Sequence, residues 1–174
     1  MVSATNPWQS GYSISVPERA QVSLLFDFFV TAQRLRRVLT DGLAPSGMRP
    51  DEYAVYSLLF EKGPLTATEM ADYLAMPLTT VLDYLKAMTA AGHLVRTTHP
   101  FDGRALQLSL NRSGIAAQRR ANHHWEVVRK EIEEGLSIPV TRVRRALLAL
   151  DDSADRATRR LERLPRPARR QFGP

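Results

Sequence analysis

Hydrophobic residues are densest near the start of the chain, in the segment 22–39. Positions 24–29 alone hold two leucines and three phenylalanines. A helix with one buried face carries a narrower apolar stripe, so this pattern predicts a helix that is covered on several sides. A second copy of the chain is one source of such cover. Gly42, Pro45 and Gly47 then predict a loop.

Glycine and proline divide the next part of the chain into short helices. Pro50 suits the first turn of a helix that runs to about Lys62, where a Gly-Pro pair ends it. Thr66 and Glu69 form a capping box, in which the two side chains satisfy free backbone N–H groups at a helix start. A second short helix is therefore predicted directly after Thr66. Its inward-facing residues are predicted to be Met70, Ala71 and Leu74.

A third helix is predicted from Pro77 to the glycine at position 92. Apolar residues at steps of four and three predict its buried stripe. The stripe consists of Val81, Leu85 and Met88, and the outward residues are Thr79, Thr80, Asp83 and Lys86. Two short helices joined by a tight turn form a helix-turn-helix, whose second helix enters the major groove of DNA.

Two short strands are predicted directly after this pair of helices. They cover 94–98 and 105–110, around a turn at 100–103 that contains Pro, Asp and Gly. A β-hairpin in this place is a wing, which adds contacts to the DNA backbone or the minor groove. The predicted fold class is mainly α with a small two-stranded β wing, a winged helix-turn-helix joined to a helical lobe.

The rest of the chain predicts two longer helices. Asn111 suits the cap of a helix that runs to about Glu134, and Gly135 and Pro139 separate it from the last one. In the last helix, apolar residues step alternately by three and four, which is the seam of a helix that packs lengthwise against another. The seam residues are Val140, Val143, Leu147, Leu150, Leu161 and Leu164, with Ala154 and Ala157 between them. Either a second copy or a helical hairpin within one chain satisfies this pattern.

Composition and motif content exclude several classes of function. The 174 residues include no cysteine, which excludes disulfides and thiolate metal sites within this chain. No apolar segment reaches the length of a membrane span and residues 1–17 do not resemble a signal peptide, so we expect a cytoplasmic protein with a flexible leader. No spacing indicates a metal or cofactor site, and no nucleophile, base or glycine-rich phosphate loop indicates an enzyme.

The predicted winged helix is acidic, although the chain has a net charge of +6. Residues 41–110 contain five Lys or Arg against eight Asp or Glu, whereas residues 111–174 contain fifteen against eight. Arginines are concentrated between Arg156 and Arg170, so a basic tail at 165–174 can add attraction to DNA that the winged helix lacks. A solvated helix face followed by a frayed terminus explains the same run equally well.

Polar and basic residues of the winged helix can contact DNA in different ways. Threonine hydroxyls bond phosphates or bases, and Lys86 and Arg96 suit phosphate. Arg104 can enter a narrow minor groove if Asp102 orients it, although a local ion pair in the turn is the simpler alternative. The candidate DNA-contacting residues are Thr66, Thr68, Pro77, Leu78, Thr79, Thr80, Asp83, Lys86, Arg96, Asp102 and Arg104.

A set of short motifs runs through the predicted winged helix: Gly63-Pro64-Leu65-Thr66 with Glu69-Met70-Ala71, then Gly92-His93-Leu94-Val95-Arg96, Asp102-x-Arg104 and Leu110-Asn111-x-x-Gly114. With these motifs, the segment 65–114 resembles the core of the MarR family of winged-helix regulators. In that family the N- and C-terminal helices of two chains interlace above paired winged helices. The resemblance implies a homodimer that binds double-stranded DNA at a near-palindromic operator. It also implies a helical dimerisation lobe at 18–42 and 111–164, and a DNA-binding lobe at 45–110.

The resemblance further implies a repressor that a small aromatic ligand releases from DNA. The ligand would enter a cleft between the two lobes, where aromatic faces bury flat molecules. Candidate cleft residues are Phe26, Phe29, Tyr53, Tyr56 and Trp125. Aromatic residues on helices are more often ordinary core, so both interpretations stay open for these five.

Departures from the family pattern favour a second hypothesis. Pro77, Leu78 and Asp83 stand where the family often has serine or arginine, and Gly103 replaces an arginine of the wing. These changes predict modest direct reading of bases. The alternative is a winged-helix dimer that acts mainly through protein partners and binds DNA weakly.

Overall fold

The computed structural model describes residues 23–101, 103 and 105–163. In chain order they form α1 (Leu24–Leu43), a short 3-10 turn (Ala44–Ser46), α2 (Pro50–Lys62), α3 (Ala67–Leu74), α4 (Leu78–Ala90), β1 (Leu94–Thr98), β2 (Leu106–Leu110), α5 (Arg112–Glu134) and α6 (Val140–Glu162). The predicted fold class, mainly α with a two-stranded wing, is confirmed. The predicted leader at 1–17, Leu164 and the basic tail at 165–174 lie outside the described residues.

The winged helix has one hydrophobic core, to which α2, α3, α4, β2 and the start of α5 contribute. Its buried residues are Val55, Tyr56, Leu59, Leu65, Met70, Ala71, Val81, Leu85, Met88, Leu108 and Ala117. The predicted stripe of α4 is therefore buried at all three positions, whereas Leu74 of α3 is only half-buried. Burial of this set on one side leaves the opposite face of α4 open to solvent.

The two strands of the wing pair in antiparallel register, from Leu94 opposite Leu110 to Thr98 opposite Leu106. The second strand begins at Leu106, one residue later than predicted. Leu65 adds a bridge that the sequence did not predict, because its N–H donates to the Leu108 carbonyl at 3.0 Å and its carbonyl accepts from the Leu108 N–H at 2.8 Å. This bridge attaches the wing to the segment that leads into α3.

Asn111 and Gly114 join the wing to α5. The Asn111 side chain accepts a hydrogen bond from the Gly114 N–H at 3.0 Å, which is the predicted helix cap, and donates to the Gly92 carbonyl at 2.8 Å. A Cβ atom on Gly114 would lie 2.4 Å from the His93 carbonyl oxygen. The asparagine and the glycine of this motif are thus explained by packing, since only glycine allows α5 to approach the 92–93 segment this closely.

The first helix is longer than predicted. Ser23 caps α1, accepting a hydrogen bond from the Phe26 N–H at 3.1 Å, and the helix continues through Gly42 to Leu43. A Cβ on Gly42 would lie 2.1 Å from Cγ2 of Val128, so this glycine allows a close approach of α5. The prediction of a loop beginning at Gly42 was wrong because that glycine serves helix packing.

Most of α1 has no cover within the described part of the chain. Leu43 is the buried residue of this helix, and the leucines and phenylalanines at 24–29 are exposed. An ion pair of 2.8 Å between Arg36 and Asp51 links α1 to α2. Within the residues that the structure describes, the expectation that α1 is covered on several sides is thus not met.

The chain divides into two compact units, residues 1–128 and 129–174. The second contains the end of α5 and all of α6. Its described ion pairs lie within helices, and they are Arg129–Glu133, Lys130–Glu134 and Asp155–Arg159. No residue of α6 is buried, and Leu147 in the predicted seam is 53% exposed. No helix among the described residues combines the length and apolar character of a membrane span.

Candidate nucleic-acid interface

The start of α3 is fixed by the predicted capping box. The Glu69 N–H donates to the Thr66 hydroxyl oxygen at 3.2 Å, and the Thr66 N–H donates to Oε2 of Glu69 at 2.7 Å. The hydrogen bonds from the backbone and side chain of Thr66 lower the pKa of Glu69. The Thr66 hydroxyl also donates to Oε2 at 2.9 Å. This candidate DNA contact is therefore already used as a helix cap, whereas Thr68 is exposed.

A tight turn positions α4 after α3. Ala75 has a φ of 49°, in the left-handed region, and the Met76 N–H donates to the Ala71 carbonyl at 3.0 Å. Pro77 is the residue before the first turn of α4, and its carbonyl accepts from the N–H groups of Thr80 and Val81 at 3.0 and 3.2 Å. The change of direction between the two helices is thus set by hydrogen bonds within the turn.

The open face of α4 mixes polar and apolar residues. Thr79, Asp83 and Lys86 are exposed as the sequence predicts, whereas Thr80 is half-buried. Leu78 is exposed, and so is Leu82, one helical turn later. The sequence analysis did not include Leu82 among the outward residues of α4. Its spacing of four residues from Leu78 places both leucines on the same helix face. The face is therefore less basic and more apolar than the surface of a strongly basic DNA reader.

A groove of about 640 Å³ lies between the start of α3, the second half of α4 and the wing. We call it the wing groove. It is lined by Thr66, Ala67, Thr68, Leu82, Leu85, Lys86, Thr89, Ala90, Arg96, Ala105, Leu106 and Leu108. Four of the residues predicted to contact DNA are thus brought together along one groove, although they come from three separate elements.

Arg96 of the wing is oriented by α4. Its guanidinium donates to the Thr89 hydroxyl at 3.0 Å, and that hydroxyl in turn donates to the Leu85 carbonyl at 2.7 Å. Arg96 stays exposed on the strand, so its remaining donors face outward. Thr89 is a positioning residue that sequence reasoning missed, because a contact over seven residues between a helix and a strand carries no local signal.

The wing tip ends in an exposed aromatic side chain. Phe101 is 94% exposed, and its N–H donates to Nδ1 of His99 at 3.2 Å. The His99 N–H donates to the Ala105 carbonyl at 2.9 Å, which closes the hairpin. The candidate contacts Asp102 and Arg104 lie outside the described residues.

The five predicted cleft residues fall into three environments. Tyr53 is buried and stacks on Trp125, with ring centroids 4.7 Å apart, and its hydroxyl donates to Oδ1 of Asn122 at 2.7 Å. Tyr56 lies in the winged-helix core at 2% exposure, where burial raises its pKa to about 12 and its hydroxyl shares a 2.6 Å hydrogen bond with His93. The side chains of Phe26 and Phe29 are exposed on α1.

Comparison with known proteins gives matches among solved structures. No protein-family model and no curated protein matches the sequence. The DNA complex of the Mycobacterium tuberculosis transcriptional regulator MosR superposes with a TM-score of 0.67 and 22% identity, covering 78% of this chain and 98% of that one. CouR from Rhodococcus jostii RHA1, bound to p-coumaroyl-CoA, has a TM-score of 0.67 and 20% identity over 76% of this chain and 92% of its own.

The apo structure of MarR from Escherichia coli is also similar, with a TM-score of 0.61 and 18% identity over 76% of this chain and 97% of MarR. Such structural neighbours are MarR-family transcriptional regulators. The predicted resemblance to that family is confirmed at the level of structure. The chain has the winged-helix fold of the MarR-family regulators.

Proposed function

We propose that this chain is a dimeric transcriptional regulator that binds duplex DNA through the wing groove and the exposed face of α4. The observation that carries the proposal is that Lys86 of α4 and Arg96 of β1 line the same groove. Two cations held on one concave surface beside a predicted recognition helix suit the phosphate backbone. The hydrogen bond that Arg96 donates to Thr89 holds the guanidinium in place before DNA arrives, which reduces the entropy lost on binding.

Exposed apolar side chains support a homodimer. The leucines and phenylalanines at positions 24–29 of α1 are exposed, and so are Leu147 and Leu161 of the seam on α6. A soluble monomer seldom exposes contiguous apolar patches of this kind. A symmetric dimer would cover the same residues on both copies and would carry two winged helices. Their recognition helices would then enter major grooves about one helical turn apart on a near-palindromic operator.

The first experiment selects duplexes from a random library with the purified full-length chain and then measures affinity over a salt series. Each phosphate contact contributes about one unit to the slope of log K against log salt concentration. We expect Arg96→Gln to weaken binding and to reduce the slope by about one unit per subunit. Lys62→Gln is the matched control, because Lys62 is exposed at the end of α2 and outside the wing groove.

Two results would contradict the proposal. One is a library selection that enriches no duplex, with equal weak binding to unrelated DNA. The other is selective binding that Arg96→Gln and Lys62→Gln weaken equally, because the charge effect would then be general and would not belong to the groove. A loss of DNA affinity in Arg96→Gln but not in Lys62→Gln, with unchanged thermal unfolding of both variants, supports the proposed interface.

We further propose that the chain represses transcription and that a small aromatic ligand releases it from DNA. The stacked pair Tyr53 and Trp125 supports this, because Trp125 is half-buried and an inserted flat molecule can replace the tyrosine as its stacking partner. Two probes come from the structural neighbours: p-coumaroyl-CoA, seen in CouR, and 6-hydroxynicotinic acid, which regulates DNA binding by BpsR of Bordetella bronchiseptica. Quenching of tryptophan fluorescence that Trp125→Phe abolishes would support a site beside this residue.

A second candidate function is a winged-helix dimer that acts mainly through protein partners. The exposed Leu78 and Leu82 on α4 favour it, since apolar side chains suit a protein surface better than phosphate. Asp83→Arg separates the two functions: it should strengthen DNA binding if α4 lies against phosphates, and leave it unchanged if α4 faces a protein. Tighter binding of Asp83→Arg to unrelated duplexes, with a steeper salt slope, would favour the DNA-binding function.

A further inference from the structure

The wing tip presents an almost fully exposed phenylalanine, Phe101. Phe101 is 94% exposed, well above every other large apolar residue that the structure describes, of which Leu24 and Leu25 come next at 69%. Exposed apolar residues are common, but this ring lies at the end of a hairpin, and among the described residues its ring contact is with His99 alone. The ring is thus available for binding.

His99 orients this ring. The two rings meet edge to face with centroids 6.1 Å apart, while the Phe101 N–H bonds to Nδ1 of His99. The same histidine closes the hairpin through its own N–H to Ala105. The backbone and the ring of Phe101 both contact His99, which fixes the position of the ring, and the residue stays 94% exposed.

The charge of this region indicates what such a ring contributes. Residues 41–110 carry more acidic than basic side chains, so attraction to phosphate is weaker here than in a basic winged helix. An apolar wedge gains its binding energy by entering the base stack, and that gain does not depend on counterion release. Steps from pyrimidine to purine unstack most easily, so a wedge also selects sequence through the deformability of the duplex.

We propose that Phe101 inserts into the minor groove as a wedge that partly unstacks a pyrimidine–purine step. This inference rests on the proposed function, in which the winged helix binds duplex DNA. It adds a specificity-determining residue to the same interface. The wing would therefore read the stiffness of the operator at positions where no base edge is contacted by hydrogen bonds.

The test uses the full-length chain and a duplex that it selects, with 2-aminopurine substituted at each adenine in turn. Unstacking raises the fluorescence of this base, so the wild-type chain should brighten positions related by two-fold symmetry. Phe101→Ala should abolish that rise and weaken binding by about tenfold, as loss of a base–aromatic contact does. Phe101→Leu should retain part of both effects, since leucine also serves as a wedge.

Salt dependence separates the wedge from the phosphate contacts. Phe101→Ala should lower affinity equally at every salt concentration, whereas Arg96→Gln should change the slope. Tyr73→Ala is the matched control, because Tyr73 is an exposed aromatic residue of α3 outside the wing, and we expect wild-type binding and fluorescence from it. Each variant should keep the wild-type melting temperature, which confirms folding.

The possible outcomes are distinct. Wild-type binding with no fluorescence rise, or a rise that Phe101→Ala preserves, overturns the wedge and leaves the proposed function intact. Failure of the wild-type chain to select any duplex overturns both. A loss of the rise in Phe101→Ala at an unchanged salt slope supports the wedge.

Discussion

The winged-helix core and helix α6 illustrate two ways in which the same apolar periodicity is used. In α4 the stripe Val81, Leu85 and Met88 is buried within the chain against α2, α3 and the wing. In α6 a longer and more regular seam leaves Leu147 at 53% exposure, and no residue of that helix is buried. Periodicity alone thus tells which face of a helix is apolar, but not whether the cover comes from the same chain.

The difference follows from what surrounds each helix in the chain. α4 is flanked by a short turn and by a hairpin, so its neighbours in sequence are also its neighbours in space and can close a core. α6 follows a segment at 135–139 that contains glycine and proline, and its described ion pair, Asp155–Arg159, is internal to the helix. Its stability therefore depends on packing that the described residues of this chain do not supply.

The sharpest test of this comparison places a charge in the α6 seam. Leu147→Asp should weaken dimerisation by at least about a thousandfold, because each copy would bury an unpaired carboxylate. Sedimentation equilibrium over a concentration series measures this loss. Leu148→Asp is the matched control, since Leu148 is 61% exposed but lies one position away from the seam. Equal effects of the two substitutions, or a wild-type monomer, would contradict a dimer built on this seam.

Removing a side chain from the winged-helix core tests the other half of the comparison. Met88 is 1% exposed, so Met88→Ala should lower the free energy of unfolding by about 3 kcal/mol through lost burial and a residual cavity. Urea unfolding followed by circular dichroism measures the change. In a protein held monomeric by Leu147→Asp, Leu161→Ala in α6 should change the free energy of unfolding by less than about 0.5 kcal/mol. A comparable loss at Leu161 would show that α6 is covered within one chain.

The winged helix could be predicted from the sequence because its signals are local. The capping box of Thr66 and Glu69, the stripe on α4 and the two paired strands each rest on patterns of a few residues, and the structure confirms all three. Resemblance to known regulators rested on motifs in the same segment. The Asn111-x-x-Gly114 motif is now explained by a cap and a close backbone approach.

The parts that could not be predicted depend on contacts between distant residues. Tyr53 bonds to Asn122 across 69 positions, and the bridge from Leu65 to Leu108 spans more than half of the winged helix. The local sequence pattern does not distinguish Tyr53, which stacks on Trp125, from Tyr56, which is buried in the winged-helix core. The exposure of Phe101 also has no local signal, because whether a ring in a turn packs against its hairpin depends on the folded hairpin.

A substitution at Gly114 is expected to have a smaller effect on the stability of the winged helix. Gly114→Ala should lower the free energy of unfolding by about 2 kcal/mol, because the new Cβ would lie 2.4 Å from the His93 carbonyl oxygen, a backbone atom that cannot easily move. Thermal and urea unfolding measure this loss. Gly103→Ala is the control, since a Cβ there meets no atom within 4 Å. Wild-type stability of Gly114→Ala would show that the packing between α5 and the 92–93 segment is looser than described.

The smallest expected effect lies at the turn between α3 and α4. Ala75 adopts a φ of 49°, which costs an L-amino acid with a Cβ about 1 kcal/mol and costs glycine nothing. Glycine also gains entropy in the unfolded chain, so the two effects partly cancel. Ala75→Gly should therefore raise the free energy of unfolding by about 0.5 kcal/mol, whereas Ala87→Gly on the exposed face of α4 should lower it by about 1 kcal/mol. The same substitution is thus expected to change the free energy of unfolding in opposite directions at the two positions. Urea unfolding of the two variants therefore reports the backbone conformation at Ala75 directly. Equal losses would mean that Ala75 is helical and that α3 and α4 are not separated by this turn.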